Sequence, residues 1–384
     1  MRHKVRKQRT FPPDFKTMSL IAFLVIVISA SCGGQKGTGS TSDQSSELIH
    51  FLIPFDSIGV ETGDSTLMLG SIGGTAITPD GRIAILDRTL GGVRFYSEQG
   101  EYLTSFIPRG DGAGEFLSVD RMVFDGQGNM CLASRADKKT CVFDSDLNLV
   151  RELVFTSPDR GGVASENLST DNALVMNMMV MLGEDSVATE IALFSDSIQP
   201  DFIYRRRVAL LCPGLNARES TRMDFAVASN GRVYISNYSF EEYEIACYSK
   251  EGDSLFTFGV PGYEPVAKSD SVLAILRQDA LEQYFSYYGT EEGFTFEPEL
   301  YWHPVTSIQI DWKDRIWITG EQYIDRARIF DAKGNLLYNA RLVAPDWQDC
   351  DAWNIRVSPN GVLADPMNPE LHPVVYILRE ETRV

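Results

Sequence analysis

The sequence predicts an all-β chain arranged as a six-bladed β-propeller, with one helical insertion between the fourth and fifth blades. Three observations lead to this fold class. Short apolar runs of alternating polarity are separated by turn residues. This pattern recurs at a near-constant period. The two ends of the chain carry incomplete units that complement each other. Regular repeats of short strands are typical of propellers and solenoids.

Residues 307–342 contain the most complete unit. Apolar runs follow one another around Ile308, Ile316, Ala327 and Leu336, and polar turns separate them. Such runs are typical of antiparallel strands that are joined by hairpins. The stretch therefore predicts one four-stranded sheet.

The turn between the first and second strands marks each unit. Equivalent turn positions are 47, 44, 59, 83 and 47 residues apart, and they are Gly81, Gly128, Asn172, Gly231, Asp314 and Gly361. A four-stranded blade takes roughly 40–50 residues. The two long gaps predict insertions.

The ends of the chain predict how the ring closes. The sixth unit, from residue 355, has three strands and then stops, whereas residues 47–55 form a strand without a unit of its own. Closure removes sheet edges that would otherwise aggregate. We expect residues 48–55 to be the outermost strand of the last blade, within a single domain at 47–384.

Several of these motifs resemble those of a known family. They are the turns at 79–82 and 229–232, the turn at 330–336, and the glycine-rich loop at 109–116, which departs in having Ala113 where proline is frequent. The chain resembles the bacterial six-bladed β-propeller lipoproteins of uncharacterised function, which have NHL-type repeats. The resemblance covers residues 47–380 and implies the fold more than any activity.

The N-terminal segment predicts export. Residues 1–31 are typical of a signal peptide, with six basic residues before an apolar run at 18–30. The residues before Cys32 resemble a lipobox, although Ser29 stands where a larger aliphatic residue is usual. We expect lipidation at Cys32, a flexible tether at 32–46, and a place in the bacterial cell envelope, in the periplasm or at the surface. Plain secretion and an uncleaved anchor are the alternatives.

The charge balance excludes one class of partner. The net charge of the whole chain is −18, and without residues 1–31 it is near −23. Nucleic acid requires a basic surface, so we expect none to bind. Membrane contact is expected through the lipid alone, and the protein is expected to be a monomer.

Cysteine, methionine and histidine each raise a possible site. Cys131 and Cys141 fall on neighbouring strands of one predicted hairpin. They could form a disulfide, or each could be a buried thiol that packs as a small apolar group. The methionine-rich run at 176–181 predicts a buried strand, with a sulfur-lined metal site as the alternative. Outside the predicted signal peptide, the histidines are His50, His303 and His372. We do not expect these three to form a zinc site.

The glycine-rich loop at 110–116 has two interpretations. A phosphate cradle would need the Lys-Ser/Thr pair and the following helix of a P-loop, and the sequence has neither. We favour a tight passage between neighbouring blades, in which Phe116 fills the space between two sheets.

A calcium site in the central channel would need oxygen ligands at the ends of inner strands. No cofactor is predicted, and calcium is the ion that such a set would hold. Polar residues of this kind also line water-filled channels that bind no metal, so their presence alone does not indicate a calcium site. The candidates are Asp120, Asp224, Asp311 and Asn354.

The insertion at 260–305 is the largest irregularity. Apolar residues at helical spacing predict a helix over 269–288 that ends at Gly289. The helix either packs on blade edges or caps one mouth of the channel, where long loops often carry function. Candidate ligand or partner residues in this insertion are Tyr284, Tyr287, Tyr288 and Trp302. A smaller insertion at 213–223 adds Arg218 and Arg222, which are candidates for contact with an acidic ligand.

These observations favour an extracytoplasmic, lipid-anchored binding module for a protein, peptide or glycan, because no catalytic constellation can be assembled. No catalytic residue is predicted. The alternative is a calcium-type hydrolase or lyase with its site in the central channel. A purely structural role in the envelope is a third hypothesis.

Overall fold

The computed structural model describes residues 49–125, 127–155, 160–168, 173–183, 186–195, 198–210, 221–296, 298–321, 323–343, 353–358, 361–366 and 372–382. For residues 49, 160–168, 283, 287, 323–325 and 382 it describes the backbone alone. The predicted signal peptide, Cys32 and the tether lie outside the described residues.

The described chain is all-β with one helix, and its sheets are arranged as in a propeller. The first strand, β1 (Ile49–Ile58), belongs to the last sheet. Four sheets of four strands follow in chain order. The first contains β2 (Ile72–Ile77), β3 (Ile83–Asp87), β4 (Gly92–Tyr96) and β5 (Tyr102–Phe106); the second contains β6 (Arg121–Phe124), β7 (Met130–Ser134), β8 (Lys139–Phe143) and β9 (Leu149–Val154). The third contains β10 (Arg160–Leu168), β11 (Leu174–Met181), β12 (Ser186–Phe194) and β13 (Phe202–Leu210); the fourth contains β14 (Met223–Val227), β15 (Val233–Asn237), β16 (Ile245–Tyr248) and β17 (Ser254–Phe258).

The remaining strands form one sheet of eight. Its order is β18-β19-β20-β21-β1-β24-β23-β22. The strands after the fourth sheet are β18 (Ser307–Ile310), β19 (Ile316–Gly320), β20 (Tyr323–Phe330), β21 (Leu336–Leu342), β22 (Trp353–Ser358), β23 (Gly361–Pro366) and β24 (Val375–Thr382). The sheet thus consists of two groups of four strands, joined by a parallel contact between β21 and β1.

The two ends of the chain meet in this sheet, and the predicted pairing of the first strand with the last is confirmed. β1 lies antiparallel to β24, with Pro54 opposite Leu378 and Ile58 opposite Val375. The sequence did not indicate the second neighbour of β1. Leu52 lies opposite Leu342 of β21 and is fully buried. The outer edge of the last group is therefore covered by the group before it.

Local turn chemistry explains why these segments form hairpins. In several turns of this chain, an aspartate side chain at the first position accepts the backbone N–H groups of the residues two and four positions later. Asp125 accepts the N–H groups of Gln127 and Asn129 at 2.9 and 2.8 Å. Asp144, Asp311 and Asp331 make the same pair of contacts in their turns. These Asx turns are contacts within a few residues, and they favour the hairpin conformation locally.

The core lies between neighbouring groups of strands. Among the described residues, buried side chains fall into six clusters, each of which joins two consecutive groups. The cluster that contains Ile77 and Ile83 of the first sheet also contains Leu363 and Val375 of the last. The first strands of successive groups also contact one another, and β22 contacts β2. The packing therefore runs around a closed ring.

Two faces of the ring follow from the alternation of strand direction. The turns between the first and second strands lie on one face, here called the lower face; there Ser229 donates to Asp314 of the next group at 2.7 Å. The turns between the second and third strands, and the connections between sheets, lie on the opposite, upper face. β1 runs parallel to β21, so its first residue, Ile49, is at the lower face.

The connection between β17 and β18 contains helix α1 (Asp270–Tyr288), as the sequence predicts. Ser269 caps its start by accepting the N–H of Val272, and Gly289 ends it with a φ of 71°. An αL residue is the usual helix stop, and glycine adopts that conformation without strain. None of the described side chains of α1 is buried. Among the described residues, no helix combines the length and apolar character that a membrane span requires.

Candidate functional site

The connection at 259–306 is built on a short two-stranded stem at the upper face. Lys268 donates its backbone N–H to Leu300 at 2.8 Å, and Trp302 donates to Val266 at 2.9 Å. Helix α1 projects from this stem, and the chain returns through Phe294 towards His303. The stem therefore holds the two ends of the insertion together.

A stack of three side chains lies beneath the stem. The guanidinium carbon of Arg222 is 4.5 Å from the centre of the Tyr238 ring, and that ring stacks on His303 at 3.5 Å and 18°. Arg222 is exposed and His303 is 2% exposed. A desolvated cation over an aromatic face contributes up to about 2 kcal/mol, and an exposed one about 0.5–1 kcal/mol. The stack holds the Arg222 guanidinium at the surface in a fixed orientation.

Two carboxylates fix this stack. His303 Nε2 lies 2.7 Å from Glu299 Oε2, and this hydrogen bond lowers the pKa of Glu299. The hydroxyl of Tyr238 donates to Glu321, whose other oxygen accepts the backbone N–H of His303 at 3.1 Å. Burial, and then the charge of Glu321, raise the pKa of Tyr238. Tyr238 is therefore a neutral donor at physiological pH.

The burial of His303 limits what the cluster can do chemically. Its ring is covered by Tyr238 on one face, and it makes an edge contact with Phe240, with the two ring centres 6.1 Å apart. A general base must reach the proton it removes, and this ring does not reach solvent. The Glu299–His303 pair thus positions the stack, and Arg222 is the member available to a ligand.

A groove of about 650 Å³ opens between α1 and the returning chain. Phe294 lines the groove; its ring centre lies 5.5 Å from that of Tyr284 and 6.4 Å from that of Phe296, on which it stacks. The Tyr284 hydroxyl donates to the carbonyl of Glu292 at 3.1 Å, which ties the helix to the return. The lining side chains are Leu273, Ala274, Arg277, Gln278, Leu281, Phe294, Phe296 and Pro298. The lining is mostly apolar, yet it is open to solvent.

The structure gives each surface candidate a place, where it describes one. Arg222 is part of the stack, and Tyr284 packs against Phe294, which lines the groove. Tyr288 is 61% exposed at the end of α1, and the Trp302 ring lies 5.3 Å from the Lys268 ammonium at the stem. Arg218 lies outside the described residues, and only the backbone of Tyr287 is described.

Three of the four channel candidates are at the upper ends of first strands. Asp120 precedes β6 and accepts the backbone N–H of Arg135 at 2.7 Å. Asp224, the second residue of β14, accepts the N–H of Ile308 at 2.7 Å. Asn354, the second residue of β22, donates to Asp365 at 2.9 Å. These contacts link neighbouring strands, so each candidate already has a partner within the ring.

Asp311 is in a different place from the other three. It follows β18 at the lower face and is 3% exposed. One carboxylate oxygen accepts from Arg315 Nε at 2.6 Å and from the indole N–H of Trp317 at 2.8 Å. Among the described residues, no group of three or more histidine, cysteine, aspartate or glutamate side chains could hold a metal ion.

The glycine-rich loop closes on itself. Glu115 accepts the N–H of Gly112 at 3.0 Å, and Glu152 accepts that of Gly114 at 2.7 Å. Phe116 is 1% exposed and packs between the first and second sheets. The loop amides that would hold a phosphate are thus partly taken by carboxylates, which supports the interpretation as a passage between sheets.

The cysteines of the second sheet do not face each other. Cys131 lies opposite Val142, whereas Cys141 lies opposite Leu132, so the two side chains point to opposite faces. Neither forms a disulfide, and burial raises the pKa of Cys141 to about 12. Met176 and Met178 are fully buried in the core between the second and third sheets. These sulfur atoms pack as apolar groups.

Sequence reasoning missed most of the stack. Tyr238, Glu299, His303 and Glu321 come from three separate segments, and strand register is needed to bring them together. The spacing of Glu299 and His303 was the available signal, because residues four apart can pair.

No family model matches the chain, and no curated protein matches it. Solved structures of similar fold include virginiamycin B lyase from Staphylococcus aureus, with a TM-score of 0.39, 11% identity, and coverage of 85% of this chain and 88% of that one. The calcium-binding protein regucalcin from Agrobacterium tumefaciens gives a TM-score of 0.43 and 10% identity, over 87% of this chain and 97% of that one. A member of the DUF4221 family from Bacteroides vulgatus gives a TM-score of 0.45 and 7% identity, over 86% of this chain and 98% of that one.

Proposed function

We propose that this chain is a binding module, and that it recognises a protein, peptide or glycan through the upper face of a six-bladed propeller. The six buried clusters support the number of blades, if the eight-stranded sheet is counted as two. The signal-like residues 1–31 and Cys32 support a lipid-anchored protein of the cell envelope.

One observation carries the proposal. Helix α1 is held by a defined stem and has proper caps at both ends, yet none of its described side chains is buried. Phe285 and Leu300 are each 52% exposed and Tyr288 is 61% exposed. Most helical stability in proteins comes from packing of an apolar face. An ordered helix with exposed aromatic residues on a rigid scaffold is therefore a surface suited to a partner.

The test compares binding by the intact protein with binding by a variant that lacks most of the insertion. Residues 269–299 are replaced by a short Gly-Ser turn, which keeps the stem at 266–268 and 300–302. Both proteins are screened on peptide and glycan arrays, with thermal unfolding to verify that the ring stays folded. We expect the intact protein to give hits that the shortened one loses. Hits that survive the deletion would contradict the upper-face site. Stoichiometric calcium in the purified chain, together with hydrolysis or elimination activity, would favour the channel enzyme instead.

A further inference from the structure

We propose that the groove on α1 binds a cationic amphipathic peptide segment of a partner protein. This inference rests on the proposed binding function and names its ligand class. It is carried by the apolar lining of the groove, the charge of the insertion and the shortage of polar groups inside the groove.

The apolar lining fits side chains of a peptide. Leu273 and Leu281 of α1 face Phe294, Phe296 and Pro298 of the return across a space of about 650 Å³. Ligand pockets commonly have about 300–1,000 Å³ and a mostly apolar lining. A groove beside a helix with exposed apolar residues can hold two or three aliphatic side chains at helical spacing.

The charge of the insertion selects a basic partner. Residues 260–305 contain eight acidic and two basic residues. Asp279 and Glu282 are exposed on α1, and Glu291 and Glu292 are exposed on the return. The net charge of −18 adds long-range attraction for a cation. Arg277 is the one basic side chain among the described residues that line the groove, and its charge opposes that of the surrounding carboxylates.

The shortage of polar groups argues against a glycan in this groove. The polar lining side chains are Arg277 and Gln278, and the Gln278 amide already donates to Glu282 at 2.8 Å. Sugar hydroxyls buried here would lack partners, and each unsatisfied group costs free energy. An anionic lipid surface is disfavoured as well, because the surrounding carboxylates would repel its headgroups.

The experiment uses the full chain and a fluorescent peptide of leucine and lysine in a helical amphipathic pattern, with binding followed by anisotropy. Glu282→Lys should weaken binding about threefold at ~0.15 M salt, and Arg277→Glu should strengthen it about threefold, since each reverses one charge at the groove. Asp146→Lys makes the same charge change at an exposed lower-face turn and should leave binding within error of wild type.

Three results would overturn the inference. A leucine–glutamate peptide of the same pattern could bind as tightly as the lysine peptide. Asp146→Lys could weaken binding as much as Glu282→Lys, which would indicate general attraction by the net charge. The protein could instead bind vesicles of phosphatidylcholine and phosphatidylglycerol through the insertion. If array hits depend on residues 269–299 while the lysine peptide does not bind, this inference fails and the proposed function stands; if hits survive the deletion, both fail.

Discussion

Replacing Asp224 with asparagine should stabilise the protein at neutral pH. Burial raises the pKa of Asp224 to about 6, although the carboxylate accepts the N–H of Ile308. An aspartate in the unfolded chain has a pKa of about 3.9. The folded state therefore holds the proton more tightly than the unfolded state does. Asparagine keeps the acceptor oxygen and carries no charge to bury.

The magnitude follows from linkage. Because the pKa is raised on folding, the free energy of unfolding falls as the pH rises from about 4 to about 6, and this loss is complete above that range. A shift from about 3.9 to about 6 corresponds to roughly 3 kcal/mol at most. Asp224 is only partly buried by its accessible surface, so water relieves some of the penalty. We expect Asp224→Asn to gain about 1–2 kcal/mol at pH 7 and almost nothing at pH 4.

Urea unfolding of both proteins at several pH values between 4 and 8 measures this difference. Subtracting the two curves removes the contributions of all other carboxylates, which the two proteins share. A difference that does not change with pH would refute the reasoning, and so would a variant that is less stable at every pH. Stabilisation by added calcium that is lost in the variant would show that Asp224 is ionised to hold a metal.

Three further predictions concern the parallel contact between β1 and β21, here called the seam, the stack of Arg222, Tyr238 and His303, and the thiols of Cys131 and Cys141. Leu52→Ala should lower the free energy of unfolding by about 2–4 kcal/mol, because Leu52 is fully buried in the seam. Phe55→Ala is the control: Phe55 is 53% exposed, and its loss should change the free energy of unfolding by less than about 1 kcal/mol. Equal effects of the two substitutions in urea unfolding would show that the seam is not closed. Tyr238→Phe removes a half-buried hydroxyl donor and should lower the melting temperature by an amount equivalent to about 1–2 kcal/mol. An unchanged melting temperature would show that the stack is unimportant for stability. Cys131 and Cys141 should react as free thiols after unfolding without reductant, and a mass increase of two hydrogens on reduction would reveal a disulfide instead.

The hairpins and the helix were predictable because their signals are local. Gly81, Gly128 and Gly231 have φ values of 87°, 88° and 80°, which is the conformation that the turn assignments required. The bounds of α1 followed from Ser269 and Gly289, which cap it. Each signal acts within a few residues, so no knowledge of the rest of the fold was needed.

Other features depend on register, which one sequence does not reveal. Cys131 and Cys141 are on adjacent strands as expected, but a shift of one residue decides whether two side chains share a face. Asp311 was assigned to the channel from its place near a strand end, whereas its Asx turn directs the carboxylate to Arg315 and Trp317.

The stack and the groove were the hardest to anticipate. Arg222 and Tyr238 flank the β14–β15 hairpin, where the Tyr238 N–H donates to the Arg222 carbonyl at 3.1 Å, but His303 comes 81 positions after Arg222 in the chain. Their proximity requires the fourth and fifth groups of strands to be neighbours with a defined rotation. The insertion was found from its length, but its exposed surface could not be found, because periodicity indicates an apolar face without saying what covers it.

The direction of β1 has a practical consequence for any attached form of this protein. Ile49 begins that strand at the lower face, while the helix and the Arg222 stack are at the upper face. A surface, a bead or a lipid that holds the polypeptide upstream of Ile49 through a short linker would leave the proposed recognition surface pointing outward into solution. Partners would then dock from the side remote from the support, so immobilisation through that end is the arrangement best suited to capture experiments.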